Sequence, residues 1–314
     1  MRGLAVVAVG GNSLVRDNDA SVEAAREALA ETCAPLAAMA ADGWALVITH
    51  GNGPQVGFGL LRAEAAAQVA PRPPLDVLGA ETQGAIGYLL QQALGAALAA
   101  RGVRRTVATV VTQVVVDPDD PAFRHPTKPI GPFYHPVEAE ARRRLGWVMV
   151  EDAGRGWRRV VPSPEPVEIV EGPVVRALVE RDVAVIAAGG GGIPVVRGER
   201  GYVGVEGVID KDLAAAVLAR TLGARLLVIS TAVEHVALYY GTPRAQPLGR
   251  VTLAEARRYL TEGHFPPGSM GPKITAAVRF LEAGGQAVII TAPWALGRAL
   301  AGETGTQIVP DSAG

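Results

Sequence analysis

Short apolar runs of strand length alternate with longer helical segments along most of the chain, and this alternation limits the possible folds more than any other feature. The apolar runs span residues 4–9, 45–49, 107–111, 183–187, 226–230 and 287–291, and the helical segments span 22–41, 79–100, 173–181, 212–222, 253–260 and 272–283. Strands that are apolar on both faces and alternate with helices are typical of a mainly parallel sheet covered on both sides. The pattern therefore predicts an α/β fold.

Residues 117–166 break this alternation, because prolines are frequent there and long apolar runs are few. Proline fixes φ and removes a backbone donor, so the segment is not one regular helix or central strand. We expect an inserted subdomain, partly strand-like near 147–150, that projects from the main sheet and separates a first half (1–116) from a second half (167–314). Lys128 lies there between Pro126 and Pro129, and so rigid a backbone suggests a positioned functional group.

Composition excludes several classes of function. The formal net charge of −1 leaves no electrostatic footprint for nucleic acid or an anionic membrane. The N-terminal apolar run is too short for a membrane span, so the cytoplasm is the expected location. Cys33 is the single cysteine, which excludes an intrachain disulfide and a cysteine metal cluster, and its helical surroundings favour a buried small hydrophobe.

Of the 30 basic residues, only Lys128, Lys211 and Lys273 are lysines. Arginine occupies nearly every position that needs only a positive charge, so the lysines are candidates for positions where a compact ammonium on a slim stem is required. The alternative is that they survived there by chance. Lys211 and Lys273 are predicted near helix starts, where a cation is unfavourable unless an anion such as phosphate accompanies it.

Glycine clusters follow three of the predicted strands, at 10–11, 51–57 and 189–192. Ligands bind at the carboxyl ends of parallel strands, and glycine lets backbone N–H groups approach an anion closely. The clusters match neither the dinucleotide fingerprint nor the Walker A pattern. Four consecutive glycines at 189–192 favour close approach of the backbone to a ligand. His50 is more consistent with packing than with a general base, and Asp210 can cap a helix.

Glycine loops, an amide and three lysines form the equipment of phosphoryl transfer, in which positioning and charge neutralisation supply most of the catalysis. ATP would bring Mg²⁺, held through phosphate oxygens and water without a protein metal site. The chain also resembles the carbamate kinases of the amino acid kinase family nearly end to end. The resembling segments are 7–12, 50–57, 112–117, 126–133, 151–158, 161–164, 189–196, 210–212, 268–273 and 305–308.

The resemblance implies an open αβα sandwich with a mostly parallel sheet of about eight strands, working as a homodimer. It implies reversible conversion of ATP and carbamate into ADP and carbamoyl phosphate, with carbamate on the first half and the nucleotide on the second. Residues after the first two strands would bind the small groups: Gly10, Gly11 and Asn12 the phosphoryl group, and Gly51, Asn52 and Gly53 the carbamate.

The lysines receive separate roles from the same resemblance. Lys128 would reach over the small substrate, and Lys211, oriented by Asp212, would neutralise the charge that develops on the moving phosphoryl group. Lys273 would hold the nucleotide phosphates. The adenine pocket is expected around 230–240 and 268–273, and the candidate nucleotide-binding residues are Lys211, Ser230, Tyr240, Met270 and Lys273.

Two alternatives stay open. One is another amino acid kinase with a larger acceptor, such as an acetylglutamate or nucleoside monophosphate kinase; the insertion with Lys128 and the 154–157 motif argue against it. The other is a catalytically silent nucleotide-binding protein on the same fold, because fold does not imply function. Retention of all three lysines argues against this second alternative.

Overall fold

The computed structural model describes residues 2–10, 21–152 and 156–311. Its strands are β1 (Gly3–Val9), β2 (Trp44–His50), β3 (Val107–Thr109), β4 (Gln113–Val116), β5 (Lys128–Tyr134), β6 (Met149–Glu151), β7 (Trp157–Val161), β8 (Pro166–Ile169), β9 (Ala184–Ile186), β10 (Ile193–Gly198), β11 (Gly201–Gly204), β12 (Leu226–Ser230), β13 (Ala237–Leu238), β14 (Gln246–Pro247), β15 (Arg250–Thr252), β16 (Ala287–Thr291) and β17 (Thr306–Val309). Its helices are α1 (Val22–Ala41), α2 (Gly53–Ala65), α3 (Leu75–Ala100), α4 (Pro136–Arg144), α5 (Gly172–Val179), α6 (Lys211–Leu222), α7 (Leu253–Thr261), α8 (Met270–Glu282) and α9 (Leu296–Leu300).

The central sheet has eight strands in the order β15-β17-β16-β12-β1-β2-β9-β3. Neighbouring strands are parallel except for the antiparallel pair β16 and β17. The predicted α/β fold with a mostly parallel sheet of about eight strands is therefore confirmed. All six predicted strands lie in this sheet, and the two that sequence reasoning missed, β15 and β17, are short strands at one edge.

Helices cover both faces of the sheet. Along β1, Val6 and Ala8 belong to the core under α6 and α8, whereas Ala5, Val7 and Val9 belong to the core under α1 and α3. This division follows from the two-residue alternation of side chains along a strand. Cys33 lies in the second core, where burial raises the pKa of its thiol to about 12, as expected of a buried small hydrophobe.

Residues 117–166 contain a three-stranded antiparallel sheet, in the order β5-β7-β6, and α4. Pro136 occupies the start of α4, where the missing backbone donor costs nothing. The sheet packs on α2 through a small core to which Val56, Ile130 and Val161 belong. The sequence patterns also missed α2, whose glycine-rich start resembles a loop, and a second sheet in the order β11-β10-β4-β8.

Across the described ranges, no helix combines the length with the apolar character needed to cross a membrane.

Candidate active site

The strands β1, β2 and β9 are neighbours in the central sheet, so their carboxyl ends meet at one edge. Gly51 follows β2 and donates its backbone N–H to the carbonyl of Val9 at the end of β1, over 3.2 Å. Gly10 packs against the end of β12, where an added Cβ would lie 2.9 Å from the Ser230 carbonyl oxygen. The predicted Gly11 and Asn12 lie outside the described residues.

The glycine turn after β9 packs against the residues that follow β2. Gly190 has φ 69°, and an added Cβ would lie 2.6 Å from Asn52 Oδ1 and closer still to Cγ and Nδ2. Likewise, a Cβ on Gly189 would lie 2.6 Å from His50 Cε1. Side chains of the protein itself therefore account for glycine at these two positions, and the expectation that a ligand accounts for them is corrected.

Gln83 on α3 holds this turn in place, and sequence reasoning missed it. Its side chain is 1% exposed and accepts a 2.7 Å hydrogen bond from the Thr112 backbone N–H. Its amide nitrogen donates to the carbonyls of Thr112 and Gly189, both over 3.1 Å. Beside it, Asn52 donates to the hydroxyl of Thr82 over 2.9 Å. A glutamine in a long alanine- and leucine-rich helix offers no local sign of such a role.

The three lysines meet at two aspartates. Asp212 bridges Lys211 Nζ through Oδ1 at 2.6 Å and Lys273 Nζ through Oδ2 at 2.7 Å. Lys128 Nζ lies 2.6 Å from Asp210 Oδ2. Three ammonium groups against two carboxylates leave one net positive charge, which suits an anionic ligand. The predicted pairing of Lys211 with Asp212 is present in the structure.

These carboxylates also correct one step of the sequence argument. Lys211 opens α6 and Lys273 lies in the first turn of α8, as expected. Each has an aspartate as its anion, so a lysine near a helix start does not by itself require phosphate. The net positive charge of the group, rather than the position of each lysine, is what favours an anionic substrate.

Burial and neighbouring charges shift the pKa values of Asp212 and Lys211 in opposite directions. Burial by itself would raise the pKa of Asp212, but the ammonium groups of Lys211 and Lys273 lower that pKa well below its usual range. Burial lowers the pKa of Lys211, and the nearby Asp212 opposes that shift. Asp212 therefore stays ionised at neutral pH and can hold both lysine side chains.

His50 is buried at the end of β2. Burial lowers its pKa to about 4, the Nδ1 contact with the Gly51 carbonyl opposes this shift, and Lys211 reinforces it. The neutral ring carries its proton on Nδ1, because that nitrogen lies 3.0 Å from the Gly51 oxygen, which can only accept. Nε2 lacks a hydrogen-bond partner among the described residues. These are the contacts of a packed side chain.

A cavity of about 240 Å³ lies beside Lys273. Its lining residues are Thr231, Val233, His235, Ala237, Tyr240, His264, Phe265, Pro266, Ser269, Met270 and Lys273. Three of the predicted nucleotide-binding residues, Tyr240, Met270 and Lys273, are among them. Ser230 does not line this cavity, because it is buried at the end of β12. Lys273 touches both the cavity and Asp212, and so connects the cavity with the lysine group.

A sequence model of the amino acid kinase family matches residues 3–292. The chain therefore belongs to the amino acid kinase family.

The chain is also similar to individual carbamate kinases over nearly its full length. The carbamate kinase-like protein YahI of Escherichia coli K12 is 53% identical over 98% of this chain and 99% of its own length. The carbamate kinase of Pyrococcus furiosus is 50% identical over 97% of this chain and 98% of its own. A solved structure of Giardia lamblia carbamate kinase bound to AMP-PNP has a TM-score of 0.90 and 42% identity, and covers 98% of this chain and 99% of that chain. The predicted membership of the carbamate kinases is confirmed.

Proposed function

We propose that this chain is a carbamate kinase that transfers a phosphoryl group reversibly between ATP and carbamate, forming ADP and carbamoyl phosphate. The observation that carries the proposal is the meeting of Lys128, Lys211 and Lys273 at one place, although they belong to β5, α6 and α8. This place adjoins the cavity that Lys273 helps to line. The full-length similarity to carbamate kinases supports the same reaction.

In the proposed reaction, a carbamate oxygen attacks the γ-phosphorus of ATP. The bond from that phosphorus to the bridging oxygen breaks, and ADP keeps the electron pair. Carbamate is already ionised, so the acceptor needs no general base, in keeping with a neutral, packed His50. The catalytic burden falls on charge neutralisation and positioning.

We assign the charge-neutralising roles by position. Lys273 is proposed to hold the nucleotide phosphates, because it lines the cavity. Lys211 shares Asp212 with Lys273 and is proposed to neutralise the moving phosphoryl group. Lys128 comes from the inserted segment and is proposed to cover the small substrate. Asp212 orients Lys211 and Lys273.

The backbone groups of Gly10 and Gly53 are proposed to complete the phosphoryl and carbamate sites. Gly51, whose N–H and carbonyl are bonded to Val9 and His50, is proposed to line the carbamate site without donating to it. Gly53 opens α2, whose first N–H groups have no partner within the helix and can bind an anion. Asn52 lies between Gly51 and Gly53 and is proposed to line the carbamate site as well, with one of its two amide N–H groups donating to Thr82. Gly11 and Asn12, next to Gly10 in sequence, are proposed to contact the phosphoryl group as well. The cavity is proposed to hold the nucleoside through Tyr240 and Met270. Ser230, buried at the end of β12, is proposed to support the nucleotide site without lining the cavity.

Mg²⁺ is proposed to arrive with the nucleotide, and it would neutralise charge on the phosphate oxygens. The described residues hold no group of three or more His, Cys, Asp or Glu side chains that could bind a metal ion. Asp210 and Asp212 are already paired with lysines. Binding through phosphate and water, which magnesium commonly adopts, fits this set of residues.

We also propose that the chain assembles as a homodimer in the cytoplasm. Light scattering on the purified protein tests the dimer.

The acceptor is tested by an assay of ATP formation. Carbamoyl phosphate, acetylglutamyl phosphate and nucleoside diphosphates are each supplied with ADP and Mg²⁺, and luciferase luminescence measures the ATP produced. We expect turnover with carbamoyl phosphate alone. Turnover only with another phosphoryl donor would assign the chain a different kinase activity, and binding of ADP without any turnover would identify a silent nucleotide-binding protein.

The lysine roles are tested by substitution. We expect Lys128→Ala and Lys211→Ala each to lower kcat by about 10²-fold or more, by analogy with the removal of one preorganised charge-stabilising group. Arginine is the more informative replacement, because it keeps the charge but not the compact ammonium. Lys128→Arg, Lys211→Arg and Lys273→Arg should each impair turnover, whereas the reverse change at an exposed position, Arg144→Lys, should not. Normal turnover in the triple arginine variant would contradict all three roles.

A further inference from the structure

Asp210 uses its two carboxylate oxygens for different tasks. Oδ1 accepts hydrogen bonds from the backbone N–H groups of Asp212, at 2.9 Å, and Leu213, at 3.4 Å, and so caps the start of α6. Oδ2 accepts from Lys128 Nζ at 2.6 Å. The sequence pattern predicts the cap alone, because Lys128 lies 82 positions away along the chain.

The pair joins two separate parts of the fold. Lys128 is the first residue of β5 in the inserted three-stranded sheet, whereas Asp210 immediately precedes the helix that begins with Lys211. The Lys128 and Asp210 side chains are 28% and 14% exposed, so water screens this pair less than it screens a surface ion pair. A short charge-assisted hydrogen bond in such surroundings is one of the stronger polar contacts available to a protein.

The contact also limits the freedom of the Lys128 side chain. Lysine is a flexible four-carbon stem, and a free stem would lose rotamer entropy each time it gripped a substrate. An ammonium group has three N–H donors. One of them binds Asp210, and two remain for an anion. Asp210 can thus hold the ammonium beside the site without using up its donors.

We propose that Asp210 is a positioning residue for Lys128: it fixes the Lys128 ammonium relative to Lys211 and Asp212, and thereby prepares the small-substrate side of the site. This inference rests on the proposed role of Lys128 over carbamate or carbamoyl phosphate. The opposite possibility is competition, in which Asp210 occupies Lys128 and must be displaced by the substrate. Positioning and competition predict opposite effects on substrate binding. Removal of the Asp210 charge weakens substrate binding if Asp210 positions Lys128 and strengthens it if Asp210 competes with the substrate.

Two substitutions separate the cap from the ion pair. Asp210→Asn and Asp210→Ser both keep a side-chain oxygen that can cap α6, since asparagine and serine are good caps. Neither offers Lys128 a carboxylate. Asp210→Ala removes both contacts. We expect Asp210→Ala to melt lower than the first two variants, because it loses the cap of α6 as well as the ion pair.

Kinetics in the direction of ATP formation provide the main measurement. We expect Asp210→Asn and Asp210→Ser to raise KM for carbamoyl phosphate by about tenfold or more, in line with the loss of a hydrogen bond to a charged group. KM for ADP should change by less than about twofold, because Lys273 and the cavity are untouched. A fall in KM for carbamoyl phosphate would overturn the proposal in favour of competition.

A double-mutant cycle with Lys128→Met then shows whether Asp210 acts through Lys128. If it does, Asp210→Asn should cause little further loss of kcat/KM when Lys128 is already absent. An equal loss in both backgrounds would overturn the proposal, because Asp210 would then act independently of Lys128. Lys128→Met by itself tests the proposed function separately. Normal kinetics in that single variant would refute the role of Lys128 and would show that this role, rather than the Asp210 pairing, is at fault.

Discussion

Replacement of Gly190 by alanine directly tests the contact between the glycine turn after β9 and Asn52. Gly190 lies in the turn after β9 with φ 69° and ψ 4°. A Cβ there would lie 2.6 Å from Asn52 Oδ1, a separation that real Cβ atoms almost never adopt. Gly223, at the C-terminal end of α6, is a matched control. Its φ is 68°, and a Cβ there would meet no atom within 4 Å.

Both variants lose stability from the left-handed backbone conformation, but only Gly190→Ala also has a steric clash. Alanine in the left-handed region costs about 1–2 kcal/mol at either position. At Gly190 the new methyl group must also displace the Asn52 amide, which is 5% exposed and donates to Thr82 over 2.9 Å. Overpacking of a tight interior costs about 1–3 kcal/mol, and loss of the hydrogen bond adds about 1 kcal/mol. We expect Gly190→Ala to lose about 2–4 kcal/mol more stability than Gly223→Ala.

Urea unfolding followed by circular dichroism measures this difference, and steady-state kinetics measure its consequence for the site. Because Asn52 is proposed to line the carbamate site, Gly190→Ala should also raise KM for carbamoyl phosphate. Gly223→Ala should have wild-type kinetics. If the two variants proved equal in both stability and KM, the contact between the glycine turn and Asn52 would not matter, and the argument for this part of the site would be refuted.

Two further predictions concern buried polar groups. The pKa of His50 is about 4 in the folded protein against an ordinary 6.5, so the unfolded chain takes up its proton first as the pH falls. The free energy of unfolding should therefore decrease by about 3 kcal/mol between pH 6.5 and 4 because of this residue. His50→Asn keeps a donor toward Gly51 and should make the free energy of unfolding less dependent on pH, as measured by urea titrations at several pH values. An unchanged pH dependence would contradict the assignment to His50. Gln83→Leu leaves the Thr112 backbone N–H without its acceptor and removes one of the two donors to the Thr112 carbonyl, so it should cost about 2–4 kcal/mol. Gln92→Leu, at an exposed position of the same helix, should be nearly neutral. Equal urea midpoints for the two variants would contradict the positioning role of Gln83.

Much of the fold was predictable because it depends on local periodicity. The predicted strand 226–230 matches β12 residue for residue, and the predicted helix 22–41 matches α1. Elements without a clear period were missed. Helix α2 begins with a glycine and a proline and contains two more glycines, so its sequence resembles a loop, and β15 has only three residues, too few to show a period.

Within the site, the lysines likewise separate what the sequence could predict from what it could not. Their rarity and their neighbours indicated a phosphoryl-transfer chemistry, and the resemblance to carbamate kinases, now confirmed by comparison with known proteins, indicated a reaction. The expectation that an anion accompanies Lys211 and Lys273 is met within the protein itself, because Asp212 binds both lysines. A sequence pattern identifies a charged group but not the partner that reaches it from another element.

The sequence by itself determined which segments form the central strands and helices, and which residue types were available for chemistry. Both follow from side-chain polarity read over a few neighbouring residues. Only the tertiary structure decided that Lys128 meets Asp210, that Gln83 holds the turn after β9, and that Gly190 must leave room for Asn52. The contacts of Gln83 and Gly190 depend on the order of the strands in the central sheet, which brings the ends of β1, β2 and β9 together, and the Lys128 contact depends on how the inserted sheet packs near α6. That order results from the packing of the whole chain, so no short stretch of sequence contains it.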